Sequence, residues 1–223
     1  MSSVKGKLVR LVSRFALARA TVASTQVIGG FQRLVLKSDA PKPAAGTKLQ
    51  LLLPSDDVRT YSPIASPDGI VLLGWLHASG PGSRWMASAQ PGEELPFVGP
   101  QRSLELAAGP IVLVGDETSV AVAGSFAVER PGQVHAVIQS ETADGVRAAA
   151  ESVGLWQLDV LPRGDTAATL DAVKAKLTLT PNAVVALTGG SELIVAVRDA
   201  LRRAGVSTIK TKTYWVPGKA GLD

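Results

Sequence analysis

The segment Arg59-Thr60-Tyr61-Ser62-Pro63 combines a cation, an aromatic ring and hydroxyl groups within five residues. On an extended backbone, Arg59 and Tyr61 project to one side and Ser62 to the other. A guanidinium group can bind a phosphate at two points, and an aromatic ring can pack against a flat heterocycle. The segment therefore suits a nucleotide cofactor that carries a fused ring. The alternative left open by the spacing is an edge-strand arginine beside a half-buried tyrosine.

A second candidate phosphate site lies in the turn-rich stretch Leu76-His77-Ala78-Ser79-Gly80-Pro81-Gly82-Ser83-Arg84-Trp85. We expect this stretch to lead into a helix over about Ser83–Ala89, with Gly82 or Ser83 as the N-cap. The N-terminus of such a helix offers unpaired N–H groups to a phosphate, and Arg84 would lie in its first turn. Trp85 can equally close the core of its domain. His77 is better explained as a polar strand residue than as a catalytic base.

Two further segments place glycines where a strand runs into a helix. They are Gly115-Asp116-Glu117-Thr118-Ser119 and Thr188-Gly189-Gly190-Ser191. Glycine lets a ligand approach the backbone, and the helix N-terminus favours phosphate. Neither segment is a complete GxGxxG fingerprint, so each alone is also explained by an ordinary tight turn. Two of them on one parallel sheet make a dinucleotide site as good an explanation as a pair of ordinary turns.

The residues after the second strand of this sheet bear on the choice of nicotinamide. Ser140 and Arg147 favour NADP, whereas Glu141 favours NAD. The balance leans to NADPH.

The secondary-structure elements that must position these groups differ between the two halves of the chain. Residues 19–106 contain short strand-like runs separated by glycine and proline, which predicts a compact antiparallel β-barrel. The predicted strands are Ala20–Ile28, Phe31–Leu36, Lys48–Leu53, Ile70–Leu76 and Glu94–Val98.

Residues 107–223 alternate nearly continuous apolar strands with amphipathic segments, which predicts an open parallel α/β sheet covered on both faces. The predicted strands are Ile111–Val114, Val134–Gln139, Trp156–Leu161, Ala183–Leu187 and Thr208–Trp215. The predicted helices are Val120–Glu129, Gly145–Val153, Thr166–Leu177 and Glu192–Ala204. Residues 1–18 show helical spacing with a basic face, which suits either packing on their own domain or contact with an anionic membrane surface.

The amino-acid composition limits the kinds of catalytic and metal chemistry that the chain can perform. The chain of 223 residues has no cysteine and two histidines, which excludes thiol catalysis, cysteine-ligated iron–sulfur clusters and histidine-rich metal sites. Redox chemistry would therefore need an organic cofactor. The aromatic content of 4% and the scattered basic residues argue against nucleic acid. No apolar run reaches the length of a membrane span and no secretory signal is evident, so we expect a cytoplasmic protein without membrane insertion.

The order of these segments along the chain resembles the siderophore-interacting, FAD-binding ferric reductases. The resemblance rests on Arg-Thr-Tyr-Ser, then His-x-x-Gly-Pro-x-Ser-Arg-Trp, Pro-Gly-Glu with Gly-Pro, and Gly-Asp-Glu-Thr. It continues to the terminal Thr213-Tyr214-Trp215-Val216-Pro217-Gly218-Lys219 and covers about Arg19 to Lys219. It implies a ferredoxin-reductase-like fold, with an FAD-binding barrel followed by an NAD(P)-binding domain. Family members usually carry an acidic residue where this chain has Gly190.

The resemblance also implies roles for individual residues. Arg59, with Thr60 beside it, would contact the FAD phosphates, Tyr61 the flavin ring, and Ser62 the polar edge near the redox-active nitrogen, so that Tyr61 and Ser62 are the candidate catalytic residues. The remaining cofactor contacts would come from His77, Gly82, Ser83, Arg84 and Trp85. The NAD(P)H cleft would be lined by Gly115, Asp116, Glu117, Thr118, Ser119, Gly189 and Gly190, and Trp215 would lie close to the flavin.

The implied activity is electron transfer from NADPH or NADH through FAD to the Fe(III) of a siderophore, in cytoplasmic iron release. Residues 1–104 carry 12 Lys and Arg against 6 Asp and Glu, whereas residues 105–223 carry 11 against 13. Because many ferric siderophores are anionic, a basic rim would attract them. Its candidate residues are Arg33, Lys37, Lys48, Arg102 and Lys219. Two alternatives stay open: a general flavin reductase or electron-transfer flavoprotein, and a flavin or siderophore carrier without turnover.

Overall fold

A computed structural model describes residues 17–77 and 80–219. The chain divides into two compact units, Met1–Ser103 and Leu104–Asp223. The predicted N-terminal helix lies outside the described residues except for its last two positions. The second of these, Ala18, is instead the first residue of a strand.

The described residues of the first unit form an antiparallel sheet of seven strands. In chain order they are β1 Ala18–Ile28, β2 Phe31–Lys37, β3 Thr47–Leu52, β4 Val58–Tyr61, β5 Ile64–Ser66, β6 Gly69–Trp75 and β7 Glu94–Arg102. Their order across the sheet is β4-β3-β7-β1-β2-β6-β5. The two outermost strands, β4 and β5, are separated in the chain by Ser62 and Pro63 alone. The sheet must therefore roll up until its two edges adjoin, which gives the barrel.

Alternating side chains of these strands fill the barrel. Leu34, Leu36, Leu72 and Phe97 are among its buried core residues. One helix, α1 (Pro81–Ser88), contributes Trp85 and Met86 to the same core. Burying each large apolar side chain stabilises the fold by about 1.5–3 kcal/mol, so the core fixes α1 against the sheet.

The second unit is a parallel sheet with a helix after each of its first four strands. The strands are β8 Ile111–Asp116, β9 Val134–Gln139, β10 Leu158–Leu161, β11 Val184–Gly190 and β12 Ile209–Trp215. The helices are α2 Val120–Glu129, α3 Ala143–Glu151, α4 Thr166–Leu179 and α5 Ser191–Arg203. The strand order is β10-β9-β8-β11-β12, so the direction of winding reverses between β8 and β11. The carboxyl ends of these two strands flank the crevice in which such sheets bind ligands.

The predicted fold class, an antiparallel barrel followed by an open parallel α/β sheet, is confirmed. Two strands were missed, β4 and β5, because runs of four and three residues are too short to show an alternating apolar pattern. The start of α1 was placed too late. The helix begins at Pro81 with Gly80 as its N-cap, since proline at the first helical position loses no intrahelical hydrogen bond. Within the described ranges, no helix combines the length and apolar composition needed to cross a bilayer.

Candidate functional site

In the first unit, Arg59 and Tyr61 lie on the edge strand β4. Their partners across the strand pair are Leu51 and Leu49 of β3. The Tyr61 hydroxyl donates a hydrogen bond of 3.3 Å to the carbonyl oxygen of Gly82 in α1. This bond connects the barrel edge to the first turn of the helix, so two of the segments identified in the sequence meet here.

Gly82, in the first turn of α1, lies close to β4. A Cβ atom at this position would lie 2.9 Å from the Tyr61 Oη atom and 3.3 Å from Cγ of Arg59. Both side chains therefore lie directly against the first turn of α1. The N-cap residue Gly80 has no side chain to cap the helix, and the first-turn N–H groups of any helix lack intrahelical partners. A guanidinium group beside uncapped N–H groups is a donor set suited to a pyrophosphate.

The Arg59 guanidinium is held at this edge by local contacts. Its Nη1 atom donates to the carbonyl oxygen of Val58 at 2.6 Å, and its Nη2 atom lies 3.4 Å from a carboxylate oxygen of Asp57. A quarter of the side chain is exposed. The group is thus oriented before any ligand arrives and still accessible to one.

Burial raises the pKa of the Tyr61 hydroxyl well above its usual value, and the nearby Arg59 charge only partly opposes this shift. Tyr61 therefore stays neutral and keeps its proton for the Gly82 carbonyl. Its ring meets Trp85 edge-on, with 5.9 Å between the ring centroids.

Trp85 itself is only 6% exposed, and its indole N–H donates to Glu93 at 3.0 Å. The structure thus places Trp85 in the barrel core, where it supports α1 and Tyr61. Its direct contact with a cofactor stays a prediction.

The other residues predicted around this site lie near the start of α1. His77 is exposed, with its ring 5.3 Å from that of Trp75 and its Cε1 atom near Gly80. Arg84 borders a shallow cleft of about 230 Å³ that also includes Pro54 and Ser88. Ser83 lies in the first turn of α1, Thr60 points outward from β4, and Ser62 is half-buried in the β4–β5 link.

In the second unit, Asp116 ends β8 at the point where the strand order reverses. Its side chain is 2% exposed. One carboxylate oxygen accepts hydrogen bonds from the backbone N–H and the hydroxyl of Thr118. The other accepts from the backbone N–H of Gly190 and from the indole N–H of Trp215, each at 2.8 Å. One carboxylate therefore joins the ends of β8, β11 and β12.

Glu117 follows Asp116 and is equally buried. Both of its oxygens lie within 2.7 Å of Nη2 of Arg163, which follows β10. The ion pair between Glu117 and Arg163 therefore connects the loops after β8 and β10 across the carboxyl end of β9, the strand between them. There the side chain of Gln139 accepts a hydrogen bond from the N–H of Gly164 and donates one to Thr169. The loops that border this half of the crevice are fixed by these contacts.

Two hydroxyl groups at the crevice have no hydrogen-bond partner among the described residues. They are Ser119 Oγ and Thr188 Oγ1, and both side chains are fully buried. A Cβ atom at Gly115 would collide with Ser119 and come within 2.9 Å of the Thr188 carbonyl oxygen. Gly115 is thus required for close packing at this turn.

The residues predicted to discriminate between NADP and NAD differ in burial and in their contacts. Ser140 is buried, and its hydroxyl accepts a hydrogen bond from the N–H of Thr142. Arg147 lies 3.5 Å from Asp144 of its own helix, and Glu141 is exposed. Arg163 was not identified from the sequence. Its position just after a predicted strand of the same sheet was the signal that could have found it.

The predicted basic rim is distributed over several strands. Arg33 and Lys37 lie on β2, whereas Lys48 lies on β3 and Arg102 ends β7. Since β2 neighbours neither β3 nor β7 in the sheet, the strand order does not join the two groups. Lys219 is exposed at the end of the described chain in the second unit. The rim stays a prediction.

Known proteins resemble this chain in structure but not detectably in sequence. No protein-family model matches the sequence, and no curated protein matches it by sequence. Solved structures do match it in fold. A siderophore utilization protein from T. fusca has 20% identity and a TM-score of 0.61, over 93% of this chain and 95% of that one. The siderophore-interacting protein SipS from Aeromonas hydrophila has 20% identity and a TM-score of 0.66, over 90% and 92%.

The fold also matches a reductase whose name does not mention siderophores. A ferredoxin reductase in carbazole 1,9a-dioxygenase has 19% identity and a TM-score of 0.70, over 90% of this chain and 70% of that one. At these identities the likeness establishes the fold. The chain therefore has the ferredoxin-reductase-like fold common to these siderophore-related proteins and ferredoxin reductases.

Proposed function

We propose that the protein is an FAD-dependent oxidoreductase that passes electrons from NADPH or NADH to Fe(III) held by a siderophore. The observation that carries the proposal is the meeting of Arg59 and Tyr61 with the first turn of α1 at Gly82. These groups provide, on one edge of the barrel, a cation, unpaired backbone donors and a neutral aromatic hydroxyl.

The residues of this edge suit FAD in particular. Arg59 and the uncapped first turn of α1 would hold the pyrophosphate, because both present donors to a doubly anionic group. Tyr61 would line the flavin ring, and Ser62 in the β4–β5 link would approach its polar edge. When bound, FAD supplies the capacity to accept a hydride and to give up electrons singly, which the side chains of this cysteine-free chain lack.

The second unit supports NAD(P)H as the electron donor. Its crevice lies at the reversal of strand order, where Gly189 and Gly190 end β11 without side chains of their own. The N-terminus of α5, with Gly190 as its N-cap, faces the same end of the sheet. Arg163, paired with Glu117, lies near the end of β9, where the ribose of a dinucleotide is recognised in sheets of this type.

Two observations support a ferric siderophore as the electron acceptor. Proteins named for siderophore use or interaction share the fold over at least nine-tenths of this chain. Residues 1–104 also carry a net charge of +6, which attracts an anionic iron chelate. Iron is the substrate here, and one-electron reduction to Fe(II) weakens its hold by the siderophore.

The test is reconstitution of the purified protein with FAD, followed by anaerobic titration. We expect NADPH or NADH to bleach the yellow colour and a ferric siderophore to restore it while Fe(II) forms. Arg59→Ala should weaken FAD binding, whereas Arg19→Ala, which removes an exposed arginine on β1 of the same unit, should not. A protein that takes up no FAD would refute the proposal.

A general flavin reductase or electron-transfer flavoprotein is the second candidate, because a ferredoxin reductase is among the matching structures. Turnover with several ferric siderophores, free flavin and a ferredoxin separates the two. Preference for free flavin or ferredoxin over every ferric chelate favours this second candidate. A flavoprotein that neither nicotinamide reduces would instead be a carrier.

A further inference from the structure

Asp57, the last residue before β4, places a carboxylate beside the guanidinium group of Arg59. Its Oδ1 atom lies 3.4 Å from Nη2 of Arg59, and its Oδ2 atom accepts a hydrogen bond of 2.9 Å from the hydroxyl of Ser55. The side chains of Asp57 and Arg59 are 28% and 25% exposed, so the pair is partly shielded from water. The arginine proposed to hold a pyrophosphate therefore already has an anionic neighbour in its own chain.

The turn between β3 and β4 keeps this carboxylate in place. The backbone N–H of Leu53 donates to the carbonyl oxygen of Asp57 at 2.8 Å, and the N–H of Asp56 donates to the carbonyl oxygen of Leu53 at 3.0 Å. Asp56 closes the turn with a φ of 63°, in the left-handed region that aspartate enters more readily than most residues. These bonds fix the backbone of Asp57, so its carboxylate stays within reach of Arg59.

The two ends of the Arg59 guanidinium are held unequally. Nη1 donates to the carbonyl oxygen of Val58 at 2.6 Å, whereas the 3.4 Å contact of Nη2 with Asp57 is long for a hydrogen bond. An arginine that grips a phosphate at two points uses adjacent N–H groups of its planar fork. Because the contact with Asp57 is the weaker one, Asp57 is the partner that yields, and Val58 goes on orienting the group.

We propose that Asp57 is an internal competitor for Arg59: it pairs with the guanidinium group in the FAD-free protein and must be displaced by the pyrophosphate. This inference rests on the proposed function, since it takes Arg59 as a ligand of the FAD pyrophosphate. Asp57 is then a positioning residue that acts through Arg59. It lowers the affinity for FAD and so makes the cofactor more readily exchanged.

The competition also favours one class of ligand. A ligand that carries a single carboxylate gains little at Arg59, because it replaces one carboxylate pair with another. A diphosphate carries two negative charges and can use the unpaired N–H groups of α1 as well, so it gains more than it displaces. Asp57 therefore selects for doubly charged phosphate ligands over singly charged anions.

One substitution removes the competitor without removing its shape. Asp57→Asn deletes the charge, keeps an oxygen that can accept from Ser55, and leaves the bond between Arg59 and Val58 intact. Asp68→Asn is the matched control, because it removes the same charge from an exposed aspartate in the β5–β6 turn of the same unit. The double variant Asp57→Asn/Arg59→Ala tests whether Asp57 acts through Arg59.

The experiment is titration of the FAD-free protein with FAD, riboflavin and inorganic pyrophosphate, by calorimetry. We expect Asp57→Asn to bind FAD and pyrophosphate about fivefold more tightly than wild type, as a competed population of about 80% requires. A partly exposed ion pair can supply a population of that size. Riboflavin, which carries no phosphate, should bind equally to both proteins, and Asp68→Asn should match wild type with all three ligands. In the Arg59→Ala background, Asp57→Asn should lose most of its gain.

The possible results separate this inference from the proposed function. FAD and pyrophosphate binding that is equal or weaker in Asp57→Asn overturns the inference and leaves the proposed function intact. The same gain in Asp68→Asn, or for riboflavin, also overturns it, because the effect would then belong to net charge or to the flavin ring. Tighter pyrophosphate binding in Asp57→Asn, without FAD binding by any of the proteins, supports the competition and overturns the proposed function.

Discussion

The Tyr61 hydroxyl and the Gly82 carbonyl oxygen lie 3.3 Å apart, which joins the edge strand β4 to the first turn of α1. The two residues are 21 positions apart in the chain. Their contact sets the distance between the guanidinium group of Arg59 and the unpaired N–H groups of the helix. The geometry of the proposed phosphate site therefore depends on the missing side chain of Gly82.

Gly82→Ala should weaken FAD binding about tenfold, equivalent to about 1.4 kcal/mol. The added methyl group would press on the Tyr61 hydroxyl and on Cγ of Arg59, and so displace both from the helix. The free energy of unfolding of the FAD-free protein should change by less than about 1 kcal/mol, because alanine is the better helix former. Fluorescence titration with FAD and urea unfolding measure the two effects.

Ser88→Ala is the control for this substitution, since Ser88 lies at the opposite end of α1 and its hydroxyl donates to the carbonyl oxygen of Trp85. It should leave FAD binding unchanged. Equal FAD affinity in Gly82→Ala and wild type would show that the first turn of α1 does not contact the cofactor.

Arg163→Met should destabilise the protein by about 3 kcal/mol, because it leaves the Glu117 carboxylate buried without its cationic partner. Glu117→Gln should lower the free energy of unfolding by less, since the side chain of Arg163 is 36% exposed and its guanidinium group can be hydrated. The double variant should recover most of the loss in Arg163→Met. Urea unfolding of the four proteins gives the coupling energy. Equal losses in the two single variants would contradict the buried-charge explanation.

Thr188→Val should leave the free energy of unfolding unchanged or raise it by about 1 kcal/mol. Valine keeps the shape of threonine and removes a buried hydroxyl that has no partner in the described structure. Thr169→Val is the matched control. Thr169 is equally buried, but its hydroxyl bonds to Gln139 and to the Asp165 carbonyl oxygen, so its loss should cost about 1–3 kcal/mol. A comparable cost in Thr188→Val would reveal a bound water molecule at that hydroxyl.

His135 should make the stability depend on pH on the acid side of neutrality. Burial lowers the pKa of His135, although Asp159, 2.8 Å away, opposes the shift and Lys176 adds to it. The unfolded chain therefore binds a proton at higher pH than the folded chain, and stability falls as the pH drops through 6.5, by at most about 1.4 kcal/mol per pH unit. His135→Gln should flatten this slope in unfolding measured from pH 7.5 to 5. An unchanged slope would assign the effect to other groups.

Most of the fold could be predicted from the sequence because its apolar periods are clear. The predicted bounds of β9 and of α2 agree with the structure to the residue. The strand that carries Arg59 and Tyr61 was missed as an element, although its extended backbone was inferred, because its four residues contain one aliphatic side chain.

The sequence allowed candidate site residues to be named, but their contacts could not be predicted from it. Asp116 and Trp215 were both identified, yet the bond that joins them spans 99 positions and depends on the register of two parallel strands. Glu117 was identified without Arg163, because a buried carboxylate gives no sign in the sequence of which cation it will meet. Gly190 stands where the proteins that the sequence resembles usually carry an acidic residue, and a Cβ atom there would lie 2.5 Å from Cζ2 of Trp215.

The strands that end the first sheet, β4 and β5, have four and three residues and are joined through Pro63. An exposed sheet edge offers unpaired backbone groups to other polypeptides and is a route to aggregation. Strands this short, turned towards each other by sheet closure and followed by a proline that lacks an N–H group, present little of such an edge. Arg59 and Tyr61 thus lie on an edge strand that offers few backbone groups for pairing with a second copy of the chain.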